Sequence, residues 1–423
     1  MATVKTMAAL AQNINPSILT WARETAGLSA DEAAKKIGLS SSQKASAAEK
    51  LEAFEEGETK PTRRQLLGLA KAYRRPLTVF YLNEPPRKAN RGEDFRTLPR
   101  EVSSRENALL DALLRDVHAR QGLTKSVLED DEDVEHLEFV GSLQVGENVE
   151  TAALRIKAKL RIDSDNWTRE HKKPDELFEY LRSKAEDLGV FVLLIGDPGS
   201  HHSDISEEIF RGFLVADDLA PFIVINDQDA RTARTFTLAH ELVHLFLGTT
   251  GVSAPPATEP PRTKNDRVER FCNDVASEML LPTESLKDTP IITSMEHAKD
   301  IVSELAEDRN LSEPMITYRL QRMGRINRSF CSELYKFYAE RWRDQKQRNR
   351  KQVKKTDGGP NYYVVRRYCL GDALLNLVGR TLRENQLTHT TAARIFGVKP
   401  GSVEPLLSGV KGINGSHRSK ARV

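Results

Sequence analysis

The sequence predicts a mainly α-helical protein with one small β-sheet, an α+β arrangement. Apolar residues recur at helical spacing along most of the chain, whereas short β-branched runs are concentrated in residues 189 to 225. Size bounds the reading. A chain of 423 residues exceeds one ordinary compact domain, and with 39% hydrophobic and 29% charged residues each of two or three domains can bury its own core. The net charge of +2 offers no whole-chain argument for nucleic acid or for an acidic partner.

Taken in order, Ile18, Leu19, Ala22 and Ala26 recur at helical spacing up to Gly27, and Ser29 caps a second segment, Ala30 to Ile37, that stops at Gly38. Two short helices joined around a glycine suggest a helix-turn-helix. A further amphipathic helix begins after Pro61 with Leu66, Leu67 and Leu69. Ser41, Ser42, Gln43 and Lys44 then occupy the recognition-helix position, from which they could reach phosphates or base edges, although Glu49, Glu52, Glu55, Glu56 and Glu58 are poor company for a phosphate backbone. This stretch resembles the Cro/repressor-type helix-turn-helix family in Gly27-Leu28-Ser29, Ala33-Ala34, Ile37-Gly38-Leu39-Ser40, Phe54-Glu55-Glu56-Gly57 and Lys60-Pro61-Thr62. The distance from Gly38 to Glu55 is longer than that family's usual spacing, with Ser40 to Ser46 in the extra space.

Pro85-Pro86 and the basic residues after it read as a linker, and residues 104 to 128 and 150 to 161 are helical by pattern. The runs Gly189 to Ile195, Phe213 to Val215 and Phe222 to Ile225 read as strands. A helix is expected to begin after Thr235 and end at Gly248, a second to cover Asp266 to Leu281, and Ser312 and Thr388 to cap segments ending at Gly324 and Gly397. The basic residues between 319 and 355, and Arg418, Lys420 and Arg422 in the tail, read as a solvated helix face and tail, or alternatively as a phosphate-binding stripe. No internal repeat is evident.

His240-Glu241-Leu242-Val243-His244 fits the HExxH pattern of zinc peptidases. Histidines four apart lie one turn apart on one helix face, so both imidazoles can reach a single zinc, and Glu241 projects beside them as a general base. Such a site needs a third protein ligand and an open position. No downstream histidine completes the longer HExxHxxGxxH pattern, which leaves a carboxylate of the following helix, Glu269 or Glu278. Cys272 is read as packing, and the adjacent His201-His202 is left out because neighbouring side chains on an extended chain point apart.

Thr237 to Leu245, then Glu269-x-x-Cys272-Asn273-x-x-Ala276 and Leu280-Leu281-Pro282, resemble the ImmA/IrrE family of metallopeptidases. Asp94-Phe95-Arg96 stands where proteins fusing such a helix-turn-helix to this peptidase carry the same tripeptide. The resemblance implies a gluzincin-like core, one zinc per chain on His240, His244 and Glu269, and cleavage of a regulatory, repressor-like protein. Asn273, one turn past Glu269, is placed to steady an imidazole or the ligand carboxylate.

The expected organisation is a helix-turn-helix domain over residues 1–85, a linker and helical segment over 86–150, a peptidase core over 151–290, a helical C-terminal region over 291–410 and a basic tail over 411–423. The expected function is a zinc metallo-endopeptidase coupled to DNA binding, in which a short strand such as Phe222 to Ile225 could pair with an extended substrate beside the zinc, as sheet edges commonly bind peptides. The alternatives are a zinc-sensing transcription regulator, or an antitoxin or scaffold, without proteolysis. Three scattered cysteines, no signal-peptide pattern in the first 30 residues and no run approaching 18 apolar residues predict a cytoplasmic protein without a membrane partner.

Overall fold

The computed structural model describes residues 10–86, 93–94, 103–199, 203–253, 263–353 and 361–408. It divides into one compact unit of residues 1–90 and 100–115 and a second of residues 91–99 and 116–423. Phe95-Arg96, His201-His202 and the basic tail lie outside the described residues.

The first unit is built from α1 (Pro16–Thr25), α2 (Ala30–Lys36), α3 (Ala47–Glu55) and α4 (Arg63–Ala72). Ser29 with Glu32, Ser46 with Glu49 and Thr62 with Gln65 form capping boxes, so three helix starts are fixed by local side chains. Ile18, Leu19, Leu51, Leu66, Leu69, Tyr73 and Phe80 form its core. Arg23 pairs bidentately with Glu55 at 2.8 and 2.9 Å, which ties α1 to α3.

In chain order there follow β1 (Glu93–Asp94) and α5 (Ser104–Glu129), and then, all in the second unit, α6 (Val149–Lys159), α7 (Pro174–Asp187), β2 (Phe191–Leu194), β3 (Gly212–Val215), β4 (Phe222–Ile225), α8 (Arg231–Leu247), β5 (Gly251–Ser253) and α9 (Lys264–Leu280). After these come α10 (Met295–Arg309), α11 (Glu313–Arg322), α12 (Arg328–Val353), α13 (Tyr362–Leu370), α14 (Asp372–Arg383), α15 (His389–Phe396) and α16 (Val403–Leu407). The protein is therefore mainly helical with one small mixed sheet, the α+β class expected. Among the described residues no helix is long and apolar enough to cross a membrane.

The sheet runs β1-β5-β3-β4-β2, with β2 parallel to β4, β3 antiparallel to both β4 and β5, and β1 parallel to β5. The three strands read from the sequence are buried along their length, as their unbroken apolar runs require. One expectation fails here. Phe222 to Ile225, taken as an edge that could pair with an extended substrate, is interior, because β2 and β3 occupy both of its hydrogen-bonding sides.

Helix α8 lies under this sheet between α7 and α9, and its residues from Ala233 to Phe246 are almost all buried. It begins at Arg231, one turn earlier than the sequence suggests. Ala230 gives no side-chain cap, and the polar first turn carries none of the apolar period that marks the rest. At the other end Gly248 takes φ +69°, and the backbone N–H groups of Gly141 and Leu143 donate to Leu245 and Phe246, satisfying carbonyls that the helix leaves open.

Candidate metal centre

The constellation starts with the two histidines of α8. One helical turn brings His240 Nε2 and His244 Nε2 to 3.1 Å of each other. Helix α9, started by a capping box of Thr263 with Asp266, packs along α8 and brings Glu269 Oε1 to 2.9 Å from His244 Nε2 and Oε2 to 3.4 Å from His240 Nε2. Among the described residues, His240, His244 and Glu269 bring ligand atoms within 4.8 Å of one another, and all three are buried.

These separations suit a cation. Ligand atoms bound tetrahedrally to zinc at about 2.0 to 2.1 Å stand about 3.3 Å apart. Two imidazole Nε2 atoms turned toward one carboxylate leave two lone pairs in close opposition unless a proton or a metal ion lies between them. The chain also prepares the tautomers. His244 Nδ1 lies 3.0 Å from Thr249 Oγ1, and because that hydroxyl is turned toward the His244 carbonyl it can accept the Nδ1–H, leaving the Nε2 lone pair facing inward. Asn273 is buried one turn on from Glu269, beside His240. His240 Nδ1 and Asn273 Oδ1, a donor and an acceptor, are both buried without a close partner.

Electrostatics hold the carboxylate ready. Burial opposes ionisation of Glu269, yet His240 and His244 outweigh it and hold the carboxyl down at about 2. Burial likewise disfavours a charged His240, and there too the Glu269 carboxylate prevails and raises the imidazole. The donor set of two imidazoles and one ionised carboxylate is one that zinc takes.

Glu241 is 0% exposed and lies on the strand side of α8. A Cβ on Gly212, the first residue of β3, would stand 2.8 Å from Glu241 Oε1 and 2.8 Å from Thr237 Cγ2, so strand and helix approach this closely only because position 212 has no side chain. Gly212 and Thr249 are the two contributors that sequence reasoning missed. Their signals were present, a glycine opening a strand and a hydroxyl just past the Gly248 helix stop, but both are too common to single out.

The alternative carboxylate, Glu278, is engaged elsewhere. It accepts from Thr283 N at 2.9 Å and Thr283 Oγ1 at 2.8 Å and pairs with Arg319, whose Nε donates to Leu281 O. Asp274 binds Arg322 at 2.6 and 2.7 Å and the Tyr318 hydroxyl at 2.7 Å. Arg319 and Arg322, read as part of a basic stripe, thus clamp α9 to α11 instead of facing solvent as a set. Cys272 is buried outside the ligand group. Ser41, Ser42, Gln43 and Lys44 lie in the turn ahead of α3, exposed and not helical, with Ser41 Oγ accepting from Ala47 N at the helix start.

No curated protein and no solved structure gives a match to the chain. Residues 185–321, which run from the end of α7 through the whole triad to α11, match the family described as Peptidase_M78, IrrE N-terminal-like domain, a similarity that supports a metallopeptidase of the IrrE/ImmA type.

Proposed function

We propose that the protein is a zinc-dependent metallo-endopeptidase, with His240, His244 and Glu269 holding the ion and Glu241 acting as general base. The observation that carries this reading is the convergence of two Nε2 atoms and one carboxylate, with a second buried carboxylate on the same helix that is not part of the ligand set. A bound zinc supplies Lewis acidity at the open position. Glu241 takes the proton of the attacking water and delivers it to the leaving nitrogen, while Thr249 and Asn273 orient the two imidazoles.

The substrate in this reading is a regulatory, repressor-like protein, and residues 1–85 form a helix-turn-helix whose Ser41, Ser42, Gln43 and Lys44 contact DNA. The rival is a regulator that senses zinc without cleaving. A carboxylate retained beside the ligands favours the enzyme, since a purely structural site has no use for a base.

The deciding experiment compares wild type with Glu241→Gln against candidate repressors. The amide is nearly isosteric and outside the ligand set, so one zinc per chain should be retained while cleavage falls about 10²- to 10⁴-fold. Full regulation by the variant, with no fragment produced by wild type, would transfer the assignment to the sensor.

A further inference from the structure

A cavity of about 650 Å³ opens between α12 and the first turn of α8. Close-packed interiors leave few voids larger than a water molecule, and cavities that hold small ligands run to about 300 to 1,000 Å³. None of His240, Glu241, His244 and Glu269 lines this one, and its α12 wall lies beyond residues 185–321, the stretch that matches the peptidase family. The cavity is therefore distinct from the metal centre.

Tyr335, Tyr338, Ala339 and Trp342 recur at helical spacing, so one face of α12 brings three aromatic side chains to the cavity. The indole is held by its Nε1, which donates to Glu207 Oε1 at 2.8 Å, and Arg341 stands 5.2 Å from the centre of the Tyr338 ring. Ala230, Thr232 and Ala233 at the start of α8 and Pro314 of α11 complete the apolar lining. Ala230 gives α8 no side-chain cap, so no cap oxygen offsets the positive end of the helix dipole at this wall.

Charge selects among ligands. Each of the four acids around the cavity already has a basic partner: Asp229 has Arg211 at 3.7 Å, Glu208 has Arg343 at 3.8 Å, Glu313 has Arg341 and Glu207 has Lys346. A cationic ligand would find no carboxylate to itself. Lys336, exposed on α12, is the lining charge left without an ion pair among the described residues. A planar apolar body with one negative group answers both features, the ring lying on the aromatic face and the anion beside the ammonium.

From the aromatic wall, the paired acids and the unpaired Lys336 we infer that this cavity binds a small aromatic carboxylate, its ring against Trp342 and Tyr338 and its carboxylate beside Lys336. This rests neither on the peptidase reading nor on DNA contact by the first unit.

The test is calorimetric titration of the full-length protein with naphthoate and with naphthalenemethanol, its uncharged counterpart, for wild type, K336E and A339W. Both substituted positions are exposed on α12. Wild type should bind naphthoate more tightly than the alcohol. K336E should weaken naphthoate about 3- to 10-fold, the scale of an exposed ion pair lost and reversed, and leave the alcohol unchanged. A339W, which puts an indole where the ring would lie, should abolish binding of both while keeping the circular dichroism of wild type. Failure of wild type to bind either compound, or binding that A339W leaves unchanged, would overturn the inference. Equal affinity for acid and alcohol, untouched by K336E, would overturn the assignment of an anionic ligand. Naphthoate binding that a chelator removes and A339W spares would put the carboxylate on the metal and overturn the inference as well.

Discussion

Thr249 and Gly212 act on the centre through other residues, and each gives a sharp expectation. Removing the Thr249 hydroxyl leaves His244 Nδ1 without its partner at 3.0 Å, so the imidazole loses the contact that selects its tautomer. Thr249→Val should therefore lower zinc affinity about 10- to 100-fold with the fold intact, as measured by competition with a chelating dye. Affinity equal to wild type would show that packing alone orients the ring. Gly212 does not take a positive φ, so its need is for space and not for conformation. A methyl group there meets Glu241 Oε1 and Thr237 Cγ2 inside contact distance, and Gly212→Ala should cost about 1 to 3 kcal/mol in urea unfolding. Cleavage should fall as well, since the side chain that must shift is the proposed base. Stability and activity both like wild type would mean that β3 moves freely off α8.

Among the elements, α13 and α14 depend on one buried cation. Arg182 of α7 donates to Val192 O at 2.6 Å and Tyr368 O at 2.6 Å and pairs with Glu186 at 3.1 Å, while Glu186 accepts from Asp372 N and Ala373 N at the start of α14. Arg182→Met removes the charge but keeps the aliphatic stem, leaving two carbonyls and a carboxylate without their partner. The expected loss is about 3 to 5 kcal/mol in a urea titration, and a loss below about 1 kcal/mol would show the network to be replaceable by water. None of this was legible in the sequence, because Arg182 lies far from Tyr368 and Asp372 along the chain and its role exists only once α7 meets α13. Elements with local signals were legible. Ser312 and Thr388 cap α11 and α15 as read, and Gly248 ends α8, since caps and left-handed glycines act within one turn. The pairing order of the sheet was not, because four-residue apolar runs specify burial on both faces but no partner, and so β4 was taken for an edge. At the centre, helical periodicity alone placed His240 and His244 together. Glu269 and Glu278 are both buried on α9, and only the packing of α9 on α8 decides which of them meets the imidazoles.

For the whole molecule, the division into two units sets what zinc can stabilise. The triad and every residue argued to orient it lie in the second unit, which holds α6 to α16, whereas the core of the first unit is closed around Ile18, Leu51, Leu66 and Phe80 and carries none of the ligands. An ion that binds only the folded state adds RT ln(1 + [L]/Kd) to the unit containing its site, about 4 kcal/mol at a free concentration 1,000 times Kd. Calorimetry of the full chain should then show the second unit's transition moving down on chelation and back on adding zinc, while the first unit's transition keeps its midpoint. Helix α5 makes this a real test, since its first residues are counted with one unit and the remainder with the other. If stability passed along that helix, the two transitions would shift together. Equal shifts would show that the units fold as one and that the metal could be felt by the first unit. A shift confined to the second unit would mean that the metal does not act on the first unit through its stability.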